Sequence, residues 1–180
     1  MLDTGKLFEL TIQFQLVDFS PGFRLGDFAC EFKEYNDWIT NDANIYIQNN
    51  LSRVHLLVNR QNGDIAAYMA LCTDSFTIEE RAKQKYQLPF ATLPALKIGK
   101  LAVSQNYLGY GIGTYMIQLA IGMADYILKS AGCRFITVDA DVRYNSNTPE
   151  FYLKNGFVFN EHSIYSKRKD NRSMRYDLFA

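Results

Sequence analysis

Ile98-Gly99-Lys100-Leu101-Ala102-Val103-Ser104-Gln105-Asn106-Tyr107-Leu108-Gly109-Tyr110-Gly111-Ile112-Gly113-Thr114 carries the decisive pattern of this chain. A short apolar run reads as a strand and meets a loop with glycine at every second position. An apolar stripe at helical spacing follows: Ile112, Met116, Leu119, Met123 and Ile127. Gly109, Gly111 and Gly113 allow positive φ and close approach of the backbone to a ligand. The helix behind them turns its unpaired N–H groups and positive dipole end toward the loop. The expectation is an anion site, with phosphate as the ligand. A P-loop is excluded, because Thr114 follows Gly113 with no lysine between them, and a dinucleotide fingerprint would need glycine at Thr114. The bland alternative is a tight strand-to-helix turn whose glycines serve packing alone.

The 180 residues are expected to form one domain, 1–180, large enough for a substantial core. A hydrophobic content of 48% with 14% aromatics argues against disorder. Lys plus Arg equals Asp plus Glu at 19 each, so no global field draws the chain to nucleic acid or membrane. No apolar run approaches the roughly 20 residues that span a bilayer, and the first residues lack a signal-peptide pattern. Cys30, Cys72 and Cys133 have no metal-ligand spacing and read as free thiols in a reducing cytoplasm. With only His55 and His162, no metal site is expected.

Leu7 to Val17 is dense in apolar and β-branched residues and is expected to include a first strand, broken at Ser20-Pro21-Gly22. One or two short helices are expected between Phe28 and Leu51. Strands at Val54–Val58 and Ile65–Cys72 flank Gln61-Asn62-Gly63-Asp64, a hairpin turn. Phe76 to Tyr86 reads as a charged surface helix or loop, and Pro89 and Pro94 bracket an extended link. Leu96–Val103 is the strand before the glycine loop, and Gly111–Ser130 the helix after it, ended by a glycine C-cap at Ala131-Gly132. Phe135–Val138 is a further strand and Asn147–Lys154 a short helix. Strands starting at Phe157 and Met174 complete an α/β arrangement around a mixed sheet.

Two blocks now resemble the GCN5-related N-acetyltransferase family. Leu108-Gly109-Tyr110-Gly111-Ile112-Gly113 is similar to its Arg/Gln-x-x-Gly-x-Gly/Ala acetyl-CoA motif. Asn145 to Phe157, with Phe151-Tyr152-Leu153-Lys154-Asn155-Gly156-Phe157, resembles its Asn…Phe-Tyr-x-x-x-Gly-Phe element. The resemblance implies a mixed, mostly antiparallel central sheet flanked by helices. It also implies an acetyl-CoA-dependent transferase in which a primary amine attacks the thioester directly. The implied coenzyme contacts are the backbone of Leu101, Ala102 and Val103, which pairs with the pantetheine arm, and the loop Gly109, Tyr110, Gly111, Ile112, Gly113 and Thr114. Asn145 and Asn147 are candidates for pantetheine hydrogen bonds, with helix N-capping the competing role for Asn147. Leu108 departs from the pattern, since leucine cannot contact a phosphate.

At the matching Phe-Tyr position, Tyr152 is the implied general acid for the leaving thiolate. A phenol with an ordinary pKa of about 10 stays protonated at neutral pH. The competing role is a plain core aromatic. The strand Leu96–Val103 carries Lys97 and Lys100 but no carboxylate, leaving Glu79, Glu80 and Asp141 as remaining candidates for a base. An α-amine, with a pKa of about 7.7–8.0, needs less help than a lysine amine, so this absence tilts toward an α-amine acceptor. Phe28–Ile39 and Leu93–Val103 are also similar to a toxin subgroup that acetylates the α-amine of aminoacyl-tRNA. Lys167, Arg168, Lys169, Arg172 and Arg175 form one local basic run that suits RNA or is simply a solvated loop. The expected partners are acetyl-CoA and an amine acceptor, with aminoacyl-tRNA, protein or small amine, an antitoxin and a homodimer left open, and no membrane. The alternative is a catalytically idle acetyl-CoA-binding module on the same fold.

Overall fold

Asp3 Oδ1 accepts the N–H of Lys6 at 2.8 Å, which caps a helix that runs into the stretch expected to contain the first strand. This helix, α1 (Thr4–Gln13), takes up the front of the stretch expected to contain the first strand, and β1 (Phe14–Asp18) lies at its end. The correction has a periodic cause. Leu10 and Phe14, four residues apart, point inward and are buried, while Phe8 and Ile12, also four apart, remain exposed. Apolar density alone had concealed that spacing. The computed structural model describes residues 2–166 and 169–179.

The described residues cluster into two compact units, Met1–Cys72 with Gly99–Leu119, and Thr73–Ile98 with Ala120–Ala180. In the first, α2 (Lys33–Asp37), a π-helical turn (Trp38–Asp42) and α3 (Ala43–Gln48) form one continuous helical stretch. It buries Trp38, Ile39 and Ala43 in a core with Phe19, Val54, Leu56, Tyr68 and Ala102. β2 (Arg53–Asn59) pairs antiparallel with β1, from Phe14↔Asn59 to Asp18↔His55. It also pairs antiparallel with β3 (Ile65–Thr77), and the predicted hairpin turn closes with Gly63 N–H on the Asn59 carbonyl at 2.9 Å. β4 (Thr92–Val103) supplies its last residues to this unit, and α5 (Ile112–Ile127) its first two turns.

In the second unit, β5 (Phe135–Asp141) runs parallel to β4, with Ala95–Ile98 opposite Phe135–Val138. α6 (Thr148–Lys154) follows, then β6 (Val158–Phe159), α7 (Ser163–Ser166) and β7 (Asn171–Asp177). β7 pairs antiparallel with both β5 and β6. The strands neighbour one another in the order β1-β2-β3-β4-β5-β7-β6, the mixed and mostly antiparallel sheet that was expected.

Three boundaries differ from the sequence reading. Phe76 and Ile78 are core residues packed with Leu93, Ala95 and Phe135, so only α4 (Glu80–Lys85) is the charged helix. Pro94 lies inside β4 rather than ahead of it, and its carbonyl accepts the N–H of Arg134 at 2.8 Å. α5 ends at Ile127, where the N–H groups of Ser130 and Ala131 both reach the Ile127 carbonyl. Gly132 is not among the glycines with positive φ, so the predicted glycine cap is not formed.

Candidate active site

The first unit holds the glycine loop. At its upstream end Ala102 is buried in the core, and Ser104 N–H donates to the Ala66 carbonyl at 2.8 Å. A 3₁₀ turn, Gln105–Tyr107, then lifts the chain away from β4. Tyr107 pins this turn. Its ring meets Phe14 edge-on at 5.7 Å, and its hydroxyl lies 3.2 Å from Asp64 Oδ2 and 3.2 Å from Asn59 Nδ2. The loop therefore rises from a base fastened to the β2–β3 turn.

Gly109 and Gly111 have φ of +82° and +83°, a conformation that L side chains rarely adopt. Immediately beyond, Tyr115 N–H bonds the Gly111 carbonyl at 3.0 Å and starts the helical ladder of α5. The N–H groups of Ile112, Gly113 and Thr114 precede that ladder and are the helix's unpaired donors. Ile112 contributes only its backbone, because its side chain is buried, whereas Leu108 and Tyr110 are exposed. No charged residue occurs from Leu101 to Thr114, so attraction for an anion at this loop rests on N–H dipoles. An acyl-CoA diphosphate fits that donor set, as the positive-φ glycines keep Cβ atoms off the loop.

Lys100, next to Leu101 on β4, lies over the Tyr35 ring at 4.6 Å and 3.7 Å from Glu34 Oε1. Glu34 is a carboxylate brought beside β4 by α2, which reading β4 alone did not find.

The second unit holds the other block. Tyr152 on α6 is only 6% exposed and meets Phe151 and Phe157 edge-to-face at 5.1 and 5.3 Å. Its carbonyl accepts the N–H groups of Asn155 and Phe157, folding the Asn155-Gly156-Phe157 turn beneath it. Gly156 takes φ +85°, and a Cβ there would lie 3.1 Å from the Tyr176 ring. Asn145 Oδ1 accepts the N–H of Asn147 at 2.9 Å, and its carbonyl accepts the Thr148 hydroxyl at 2.8 Å. Asn147 stands at the N-cap position of α6, but its side chain makes no capping bond. The turn before α6 is thus organised by Asn145, a correction to the capping role considered for Asn147.

A carboxylate missing from the β4 sequence also reaches it here from β5, and a carboxylate of β3 bonds β5. Lys97 Nζ contacts Asp139 Oδ2 of β5 at 2.8 Å, and the Thr137 hydroxyl donates to Asp74 Oδ2 at 2.7 Å. The predicted alternatives have other partners: Glu80 pairs with Lys83, and Asp141 with Arg143. Of the basic run, Lys167 and Arg168 lie outside the described residues. Arg175 is engaged internally, donating to the Phe159 carbonyl and Asn160 Oδ1 at 3.0 Å each. No group of three or more potential metal ligands gathers among the described residues, and no helix of theirs is long and apolar enough to cross a membrane.

The family model described as acetyltransferase (GNAT) family matches residues 18–157. No curated protein sequence matches the chain. Solved structures similar to it include AtaT complexed with acetyl-methionyl-tRNAfMet, at 18% identity and a TM-score of 0.77, covering 91% of this chain and 94% of that one. AtaTR bound with AcCoA is similar at 17% identity and a TM-score of 0.74, covering 94% and 96%. A mutant AtaT toxin bound to the C-terminus of the antitoxin AtaR is similar at 18% identity and a TM-score of 0.72, covering 93% and 94%.

Proposed function

The chain belongs to the acetyltransferase (GNAT) family, and from that footing we propose that one domain moves an acetyl group directly from acetyl-CoA to a primary amine. Acetyl-CoA supplies the activated thioester. The observation that carries the reading is the pair of positive-φ glycines, Gly109 and Gly111, set before the unpaired N–H groups of α5. Those donors hold the diphosphate, and the backbone of Leu101, Ala102 and Val103 pairs with the pantetheine arm. Asn145 and Asn147 add hydrogen bonds to that arm. Tyr152 delivers the proton of its hydroxyl to the departing sulfur.

The favoured acceptor is the α-amine of an aminoacyl-tRNA. An α-amine is partly neutral near pH 8, so it reacts without the strong base that a lysine amine requires. The similarity in fold to AtaT complexed with acetyl-methionyl-tRNAfMet supports this choice, and that to a toxin bound to its antitoxin supports an antitoxin partner here. Thiol release from acetyl-CoA, measured with charged tRNA, a protein and a panel of small amines, tests the proposal. Turnover with charged tRNA and not with the other amines is expected. The second reading, an idle acetyl-CoA-binding module, draws on the exposed Leu108 in place of arginine or glutamine. Acetyl-CoA binding without turnover of any acceptor would establish that second reading instead.

A further inference from the structure

In the first unit, the residue that precedes the α1 cap lies on the glycine loop. A Cβ built on Gly111 would come within 3.0 Å of Leu2 Cδ2, and Leu2 is partly buried there. The two ends of α1 are held very differently. Its C-terminal end is anchored by buried Leu10, by Thr11 Oγ1 at 3.3 Å from the Tyr115 hydroxyl, and by Phe14 just beyond. Its first turn, Thr4-Gly5-Lys6, is largely exposed and contains glycine, a poor helix former. An exposed first turn opens locally at small free-energy cost without unfolding the rest of the unit. A leucine methyl against Gly111 offers nothing to the neighbouring N–H donors, and a hydrated diphosphate does not tolerate an apolar cover.

We infer that Leu2 forms an apolar strap that rests on Gly111 and lifts when the diphosphate of acetyl-CoA engages Ile112, Gly113 and Thr114. The strap sets coenzyme affinity by competing for the loop. This inference rests on the coenzyme reading of that loop.

The test compares the full chain with Leu2→Ala and Leu2→Met by calorimetry, using acetyl-CoA and S-acetylpantetheine, which lacks the diphosphate. Hydrogen exchange at the Gly111–Thr114 amides is followed in parallel without ligand. Leu2→Ala should exchange faster at those amides and bind acetyl-CoA about threefold or more tightly. Its affinity for S-acetylpantetheine should be unchanged, and Leu2→Met should match the parent. Unchanged exchange, unchanged or weaker acetyl-CoA binding, or an equal gain with S-acetylpantetheine overturns the strap. If exchange quickens but neither protein binds acetyl-CoA, the coenzyme reading itself falls and the strap's role falls with it.

Discussion

Tyr152 and Gly111 are the residues on which the proposed chemistry turns, one through a hydroxyl and the other through a missing side chain. Tyr152 sits in an aromatic setting with Phe151 and Phe157 that holds its ring whether or not the hydroxyl is present. Tyr152→Phe should therefore fold normally and lower turnover by about tenfold or more, with acetyl-CoA affinity nearly unchanged. A rate equal to the parent's in single-turnover assays would remove the phenol from the mechanism. At Gly111 the backbone itself is the constraint, because φ is +83°. A β-branched replacement, Gly111→Val, is strained there and also meets Leu2, so calorimetry should detect no acetyl-CoA binding. Retained affinity would mean that the glycines serve packing alone.

At the scale of elements, the turn after α6 shows how a local rule supports a distant one. Gly156 supplies the left-handed residue that ends the helix, and Tyr176 of β7 packs into the space where its Cβ would be. Gly156→Ala combines backbone strain with a contact of 3.1 Å against an aromatic ring. It should destabilise the protein by about 1–3 kcal/mol, seen as a drop of several degrees in thermal midpoint. The same turn was legible in the sequence as Asn155-Gly156. By contrast, α1 is not legible in the sequence beside the strand that follows it, because a mixed apolar run does not declare which residues face the core. Only the placement of Leu10 and Phe14 inward, with Phe8 and Ile12 outward, settles its period.

At the scale of the whole molecule, the first unit's core contains ionisable groups that depend on staying neutral. Tyr68 donates its hydroxyl to the Tyr35 carbonyl at 2.8 Å and stacks on Trp38 at 5.9 Å. Burial pushes its phenol well above the ordinary range, with further contributions from Cys30, Tyr35 and Glu34. Burial likewise raises the thiol of Cys30. An acid whose folded pKa is raised contributes stability that is complete below its unfolded pKa and is lost as pH climbs toward the folded value. Urea unfolding should therefore show stability declining from about pH 9 as Cys30 responds, and more steeply above about pH 10 as Tyr68 responds. Tyr68→Phe should be less stable by about 1–2 kcal/mol at pH 7 and lose less on going to pH 11. Identical pH profiles for the two proteins would sink this account.

The glycine loop, the helix behind it, the hairpin, the Phe-Tyr block and the mixed sheet were all readable from residue order. The loop, the helix and the hairpin rest on short-range physics, the φ preferences of glycine, helical and strand periodicity and turn chemistry, whereas the role of the Phe-Tyr block and the mostly antiparallel sheet were implied by the family resemblance. Tertiary structure decided what depends on residues far apart in the chain. It turned Leu7–Gln13 into a helix, sank Phe76 and Ile78 into the core, and laid Leu2 on Gly111. It also brought Glu34 to Lys100 and Asp139 to Lys97. None of these pairings has a local signature, because burial and charge pairing are set by which surfaces meet once the strands have paired.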